Sequence, residues 1–200
     1  MVNFYLLQLR TLAMTSDRLA HLSQRMAAAT LWFIVLMLVL NAATWWFPQL
    51  GSTDGGYGLD FALTNFAVAN HADVLSTFPW WQKVGGMLLS SVPLLALSIG
   101  LYHLRALFHG YGRKEYFSAA AAHHLGVVGR SVALWVGLNL VCEPLLSMWM
   151  TLRAPAGHHS VTLTFGSSDL VALFLAACIA VIARILRQAS EVNAENQSFV

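Results

Sequence analysis

Charged side chains are scarce in this sequence. Lys, Arg, Asp and Glu together make up 10% of the 200 residues, whereas roughly a quarter is usual in soluble domains. Hydrophobic residues reach 58%, which is more apolar surface than a water-soluble chain of this length could bury. The formal net charge is only +2 and no basic run occurs, so direct nucleic-acid binding is not expected. The composition therefore predicts a protein that folds in a lipid bilayer.

Cysteine and the usual catalytic motifs are also nearly absent. Cys142 and Cys178 lie in apolar stretches, with neither metal-ligand spacing nor the pattern of a disulfide framework. The sequence contains no glycine-rich phosphate loop, no HExxH motif and no Ser/His/Asp arrangement. Its histidines fall near span ends or in predicted loops, whereas haem ligands would lie deep within facing helices. We therefore predict no enzyme activity, no cofactor and no metal site.

Four long apolar segments are present instead. A transmembrane helix needs about 20 mostly apolar residues to cross a hydrocarbon core of about 30 Å. The segments that meet this requirement are residues 26–47, 84–104, 126–152 and 169–186. The first is longer than the apolar part of a signal peptide, so it is expected to remain as a helix. The sequence predicts an all-α integral membrane protein in which residues 26–186 form a bundle of four transmembrane helices.

The Lys and Arg residues predict the orientation of this bundle, because cytoplasmic loops carry an excess of them. Three precede the first span, four lie in or beside the connection between the second and third spans, and two lie at the end of the fourth. The opposite side has only Lys83 and Arg153. We expect both termini in the cytoplasm, the small loops at 48–82 and 153–168 outside, and a polar cytoplasmic tail at 187–200.

Residues 1–25 are predicted to form a cytoplasmic amphipathic helix that lies on the membrane surface or against the bundle, since apolar residues recur there at helical spacing. Thr15-Ser16-Asp17 is expected to interrupt this helix and to cap its second half. In the second external loop, Ser160 to Phe165 alternates polar and apolar residues, as a short strand does. These segments are expected to flank the transmembrane domain.

The helix ends carry recognisable signals. Gly110-Tyr111-Gly112 is typical of a turn after the second span. Ser118 is a suitable N-cap for a helix that begins at Ala119 and continues into the third span. Asp169 is expected to cap the fourth helix, because a carboxylate there meets exposed backbone N–H groups.

Tryptophan residues gather at the predicted outer ends of the first three spans. Indole favours the boundary between membrane and water, where its ring is half solvated. Arg130 lies about one turn inside the third span and is expected to extend its guanidinium to cytoplasmic headgroups. We predict a membrane-anchoring role for Arg130 and for five tryptophans: Trp45, Trp46, Trp80, Trp81 and Trp149.

The third span carries a polar stripe. Asn139, Glu143 and Ser147 follow one another at intervals of four residues, which places them on one face of a helix. Asn41 lies at a similar depth in the first span. One interpretation is a site for a ligand, a proton or an ion. The other is a protonated Glu143 that is hydrogen-bonded to Asn41 or another partner and holds helices together.

Two blocks of the sequence resemble a known family. The first runs from Tyr102 to Arg130 and contains Glu115-Tyr116-Phe117-Ser118, and the second leads from Ile182-Ala183-Arg184 to Glu195-Asn196 near the end. The order of these blocks and their spacing between the four spans resemble a family of four-pass bacterial membrane proteins called domain of unknown function 2975. The resemblance covers Ala27 to Val200. The resemblance implies the four-helix fold and a bacterial plasma membrane, and it supplies no activity.

Members of that family are often encoded beside a small helix-turn-helix regulator, so the resemblance implies a regulatory or protein-interaction role. The expected partners are the lipid bilayer and a cytoplasmic regulator or another membrane protein. The alternative function is a bundle that responds to a small molecule or an ion bound around Asn139 and Glu143. These two functions differ in their working surface, which is cytoplasmic in the first and intramembrane in the second.

Overall fold

The computed structural model describes residues 2–47, 78–113, 118–152 and 165–198, with side chains described from residue 21 to residue 192 within these ranges. These residues form four α-helices and no strand. Each helix contains a stretch long and apolar enough to cross a membrane, which confirms the predicted all-α fold with four spans. The helices are α1, Val2–Trp46; α2, Trp80–Gly112; α3, Ala119–Met150; and α4, Ser167–Ser198.

Two predicted interruptions of the helices are wrong. α1 is one continuous helix of 45 residues that runs through Thr15-Ser16-Asp17. Each of these residue types costs only about 0.7 kcal/mol or less inside a helix, so a weak capping signal is readily overridden. The predicted turn at Gly110-Tyr111-Gly112 is the last part of α2. The helix ends just beyond it, where the amide of Arg113 donates to the carbonyl oxygen of Gly110 at 2.9 Å.

The predicted caps of α3 and α4 are confirmed. The Ser118 hydroxyl accepts a hydrogen bond from the amide of Ala121 at 3.1 Å. At the start of α4, a carboxylate oxygen of Asp169 accepts a hydrogen bond from the amide of Gly166 at 2.9 Å. Both bonds satisfy backbone N–H groups at the start of a helix, where such groups have no hydrogen-bond partner within the helix. Apart from Phe165, the predicted strand at 160–165 lies outside the described residues.

The outer surface of the helices is apolar. Large side chains such as Trp32, Leu88 and Phe174 are 73%, 60% and 68% exposed. A soluble monomer rarely leaves so much contiguous apolar surface uncovered, and lipid tails cover it at no cost. Together with the four candidate spans, this surface indicates a multi-pass membrane protein.

The chain divides into two compact units. Unit 1 comprises residues 1–33, 99–130 and 175–200, and unit 2 comprises residues 34–98 and 131–174. The core of unit 2 is formed by Trp45, Leu146 and Met150, against which Phe78, Met87 and Leu89 pack.

In unit 1, α3 and α4 approach closely at small residues. A side-chain carbon added to Gly129 would lie 3.0 Å from the carbonyl oxygen of Ala176 and 3.3 Å from Cγ2 of Ile179. Ala176 and Ala183 of α4 are buried. Small residues permit this backbone approach, which in a membrane supplies the van der Waals packing that holds helices together.

Candidate functional site

Asn41 of α1 is buried in unit 2 and is hydrogen-bonded to α2. Its Nδ2 donates to the Ser91 hydroxyl at 3.0 Å, and its Oδ1 accepts a hydrogen bond from the Ser90 hydroxyl at 3.1 Å. The structure therefore brings Asn41 together with Ser90 and Ser91, which the sequence had not indicated as its hydrogen-bond partners. This pairing could not be recognised from the sequence, because serines are common in membrane helices whether or not they bond to a neighbouring helix.

The bonds around Asn41 continue on both sides. The indole Nε1 of Trp45 donates to the Ser90 hydroxyl at 3.1 Å. The Ser91 hydroxyl donates to the carbonyl oxygen of Met87 at 2.6 Å. Each serine thus accepts one hydrogen bond and donates another, and the chain of bonds links α1 to α2. Such bonds between membrane helices contribute about 0.6–2 kcal/mol each.

Replacing Ser90 with alanine is expected to lower the free energy of unfolding by about 1–3 kcal/mol, since the Trp45 indole and the Asn41 amide would each lose a partner while buried. Ser98 offers a matched control on the same helix. Its hydroxyl is buried without a hydrogen-bond partner among the described residues, so Ser98→Ala is expected to change stability by less than about 0.5 kcal/mol. Unfolding of both variants by SDS in mixed micelles would measure the difference, and equal losses would contradict it.

The polar stripe of α3 lies in unit 2. Asn139 and Glu143 are half-buried, and Ser147 is buried. Glu143 and Ser147 both have interaction partners. The carbonyl oxygen of Ser147 accepts hydrogen bonds from the amide and the hydroxyl of Thr151 at 3.1 and 3.0 Å. A ligand-binding role for this stripe stays a prediction, and the amide of its proposed partner Asn41 is engaged by α2.

The five tryptophans that the sequence assigns to the membrane boundary occupy different environments. Trp46 and Trp80 are exposed, as anchoring residues would be, whereas Trp45 is completely buried inside unit 2. Trp149 is half-buried. It makes an edge-to-face contact with Trp81, and the ring centroids are 6.1 Å apart. Membrane anchoring stays a prediction for the group, and packing is the observed role of Trp45 and Trp149.

Two adjacent glycines of α2 make room for these two rings. A side-chain carbon on Gly86 would overlap the six-membered ring of Trp45, and one on Gly85 would overlap the ring of Trp149. No other residue has a side chain small enough for such an approach. Successive residues of a helix point about 100° apart. Gly86 therefore packs against the Trp45 ring of α1, and Gly85 packs against the Trp149 ring of α3.

A reciprocal pair of hydrogen bonds joins α2 to α3 beside these rings. The side-chain amide of Gln82 donates to the carbonyl oxygen of Trp149 at 3.1 Å, and the indole of Trp149 donates to the carbonyl oxygen of Gln82 at 3.0 Å. Gln82 is fully buried. The Trp149 carbonyl lies in the last turn of α3, where carbonyl groups have no partner within the helix.

Unit 1 differs from unit 2 in its charge. Of the seven Lys and Arg residues whose side chains are described, unit 2 has only Lys83. The other six belong to unit 1: Arg25, Arg105, Arg113, Arg130, Arg184 and Arg187. The sequence had assigned these six arginines to one side of the membrane, and helix packing places them in one compact unit.

Three of these arginines line a groove between α3 and α4, of about 570 Å³, which we call the arginine groove. The small residues Gly126 and Ala183 form part of its wall, and no described residue that lines it is acidic. Arg130 is exposed and its Nε donates to the carbonyl oxygen of Gly126 at 3.3 Å. The groove is lined by Ala122, Gly126, Arg130, Ala180, Ala183, Arg184, Arg187 and Gln188.

Comparison with known proteins identifies a family. No curated protein and no solved structure matches the chain. A family model described as "Protein of unknown function (DUF2975)" matches residues 67–200, which is well over half of the chain. The match begins later than the resemblance from Ala27 had implied, so α1 lies outside it. By this match the chain belongs to the DUF2975 family.

Proposed function

We propose that this chain is a non-enzymatic protein of the bacterial plasma membrane that binds a cytoplasmic regulatory protein. Both termini lie in the cytoplasm, and unit 1 is the cytoplasmic working surface. The observation that carries the proposal is the concentration of described arginines in unit 1, where three of the six line the arginine groove. An excess of Lys and Arg is the usual mark of cytoplasmic membrane-protein segments.

The arginine groove is suited to an acidic partner segment. Its three guanidinium groups offer charge-assisted, bidentate hydrogen bonds to carboxylates. Its small side chains let a partner's backbone approach α3 and α4, as a helix does when it binds in a groove. A helix-turn-helix regulator is the first partner to test, because such proteins are often encoded beside members of the family that the sequence resembles.

Photocrosslinking in native membranes tests this proposal. A benzophenone amino acid at Ala180, an exposed residue of the groove, is expected to crosslink to a cytoplasmic protein. Reversing the charges with Arg184→Glu and Arg187→Glu is expected to lower the yield about tenfold or more, because attraction to carboxylates becomes repulsion. The same photoreactive residue at Phe174, exposed on the same helix in unit 2, is expected to give lipid adducts only.

Lys83→Glu in unit 2 is the matched charge-reversal control, and it is expected to leave the yield at Ala180 unchanged. The proposal fails if Ala180 gives no protein adduct in native membranes. It also fails if the adduct persists in full after both groove arginines are reversed, since the groove charges would then have no part in binding.

A further inference from the structure

A second cavity of unit 1, open to the surface and about 400 Å³ in volume, lies between α2 and α3. This volume is within the range of about 300–1,000 Å³ that is usual for small-molecule sites. None of the described residues that line it carries a carboxylate. Its polar lining residues are Tyr102, Arg105, His109, Arg113, Ser118 and His124.

The α2 side of this cavity contributes two arginines, a histidine and a tyrosine. Arg105, His109 and Arg113 are separated by four residues each, and Tyr102 precedes them by three. These intervals place Tyr102, Arg105 and His109 on one face of α2, and Arg113 follows directly after Gly112, its last residue. Two guanidinium groups that share a cavity repel each other, and an anion between them would remove that repulsion.

The α3 side contributes a histidine of fixed orientation. Nδ1 of His124 lies 2.8 Å from Nδ1 of His103, so one of the two nitrogens donates a hydrogen bond and the other accepts it. When His103 is the donor, the proton of a neutral His124 is on Nε2, which is then available to a ligand. An anion in the cavity favours this tautomer, because it accepts the Nε2–H bond.

From this arrangement we infer that the cavity binds a phosphate group. Each guanidinium offers about five N–H donors. Together with the two hydroxyls and two imidazoles of the cavity, these donors outnumber the hydrogen bonds that one carboxylate can accept. A phosphate has more terminal oxygens and pairs with arginine in a bidentate manner. The phosphate belongs either to a soluble phosphorylated compound or to an anionic phospholipid, since basic pockets between helices bind headgroups on the cytoplasmic side.

This inference is independent of the proposed partner, because it concerns α2 and α3, whereas the arginine groove lies between α3 and α4. Two variants separate the sites. Arg105→Gln with Arg113→Gln removes two positive charges from the cavity. Arg184→Gln with Arg187→Gln removes the same charge from the groove in the same unit and serves as the control.

The test uses the full-length protein in two arms. In neutral detergent, inorganic phosphate is titrated and binding is followed by calorimetry. In nanodiscs, phosphatidylglycerol in a phosphatidylcholine background is compared with phosphatidylcholine alone, and bound lipid is counted by native mass spectrometry. Binding in the first arm identifies a soluble phosphate ligand, and preferential retention of phosphatidylglycerol in the second identifies a headgroup.

The cavity variant is expected to lose about tenfold in affinity for each arginine removed, since each forms a charge-assisted hydrogen bond. The groove control is expected to bind as the unaltered protein does. Far-ultraviolet circular dichroism and gel filtration establish that both variants are folded. The inference is overturned if neither arm shows binding, or if the two variants lose affinity equally.

Discussion

The Gly86→Ala variant is expected to be less stable than the unaltered protein by about 3 kcal/mol, the upper end of what overpacking usually costs. The added carbon would overlap the six-membered ring of Trp45, which is completely buried. A rigid ring inside a packed core has no space into which it can move, so α1 and α2 would have to separate. Their separation would also weaken the bond from the indole to Ser90.

Gly137→Ala on α3 is the matched control. A carbon added there meets nothing within 4 Å, so the greater helix propensity of alanine is expected to raise stability by up to about 1 kcal/mol. The same substitution therefore has opposite signs at the two sites. SDS unfolding in mixed micelles would measure both.

A double variant tests whether the ring is the cause. Trp45→Phe removes the distal ring atoms that the new carbon would overlap. The double variant should therefore lose less free energy of unfolding than the sum of the losses of the two single variants. Strict additivity would mean that the Gly86 defect arises elsewhere.

Trp149→Ala is expected to cost about 3 kcal/mol, as the removal of large packed side chains does. The side chain no longer fills the space over Gly85, and the carbonyl oxygen of Gln82 loses a hydrogen bond. Trp149→Phe keeps part of the ring and loses the N–H donor. Its free energy of unfolding is therefore expected to lie between that of the unaltered protein and that of Trp149→Ala.

Trp80→Ala is the control for this series, because Trp80 is 72% exposed. Its effect on the free energy of unfolding is expected to stay within about 0.5 kcal/mol. Micellar unfolding curves for the three variants should rank in the order Trp149→Ala, Trp149→Phe and Trp80→Ala, from least to most stable. A Trp80 variant as unstable as Trp149→Ala would contradict the packing role.

The four helices could be predicted from the sequence because each signal is local. A span in lipid must satisfy its own backbone hydrogen bonds, so a sufficiently long apolar stretch already implies a helix. The capping residues Ser118 and Asp169 act within a few residues of their own position, and both were found. The interruption at Thr15-Ser16-Asp17 was a local signal too weak to stop α1.

The contacts between helices could not be predicted, because depth in the membrane does not specify which helices are neighbours. Asn41 and Glu143 have similar predicted depths, yet the amide of Asn41 is bonded to Ser90 and Ser91 of α2. Tryptophan near a span end fits both the membrane boundary and the protein interior. The burial of Trp45 is decided by Gly86, which is 41 positions away in the sequence.

The paired glycines of α2 also fix the axial register of three helices. A slip of one residue would move α2 by about 1.5 Å along its axis and about 100° around it. Val84 or Met87 would then face a tryptophan ring at a position where only the hydrogen atom of a glycine side chain fits. Neither α1 nor α3 can slide against α2 without first withdrawing its indole, so relative movement of these helices must begin with their separation and not with a translation between them.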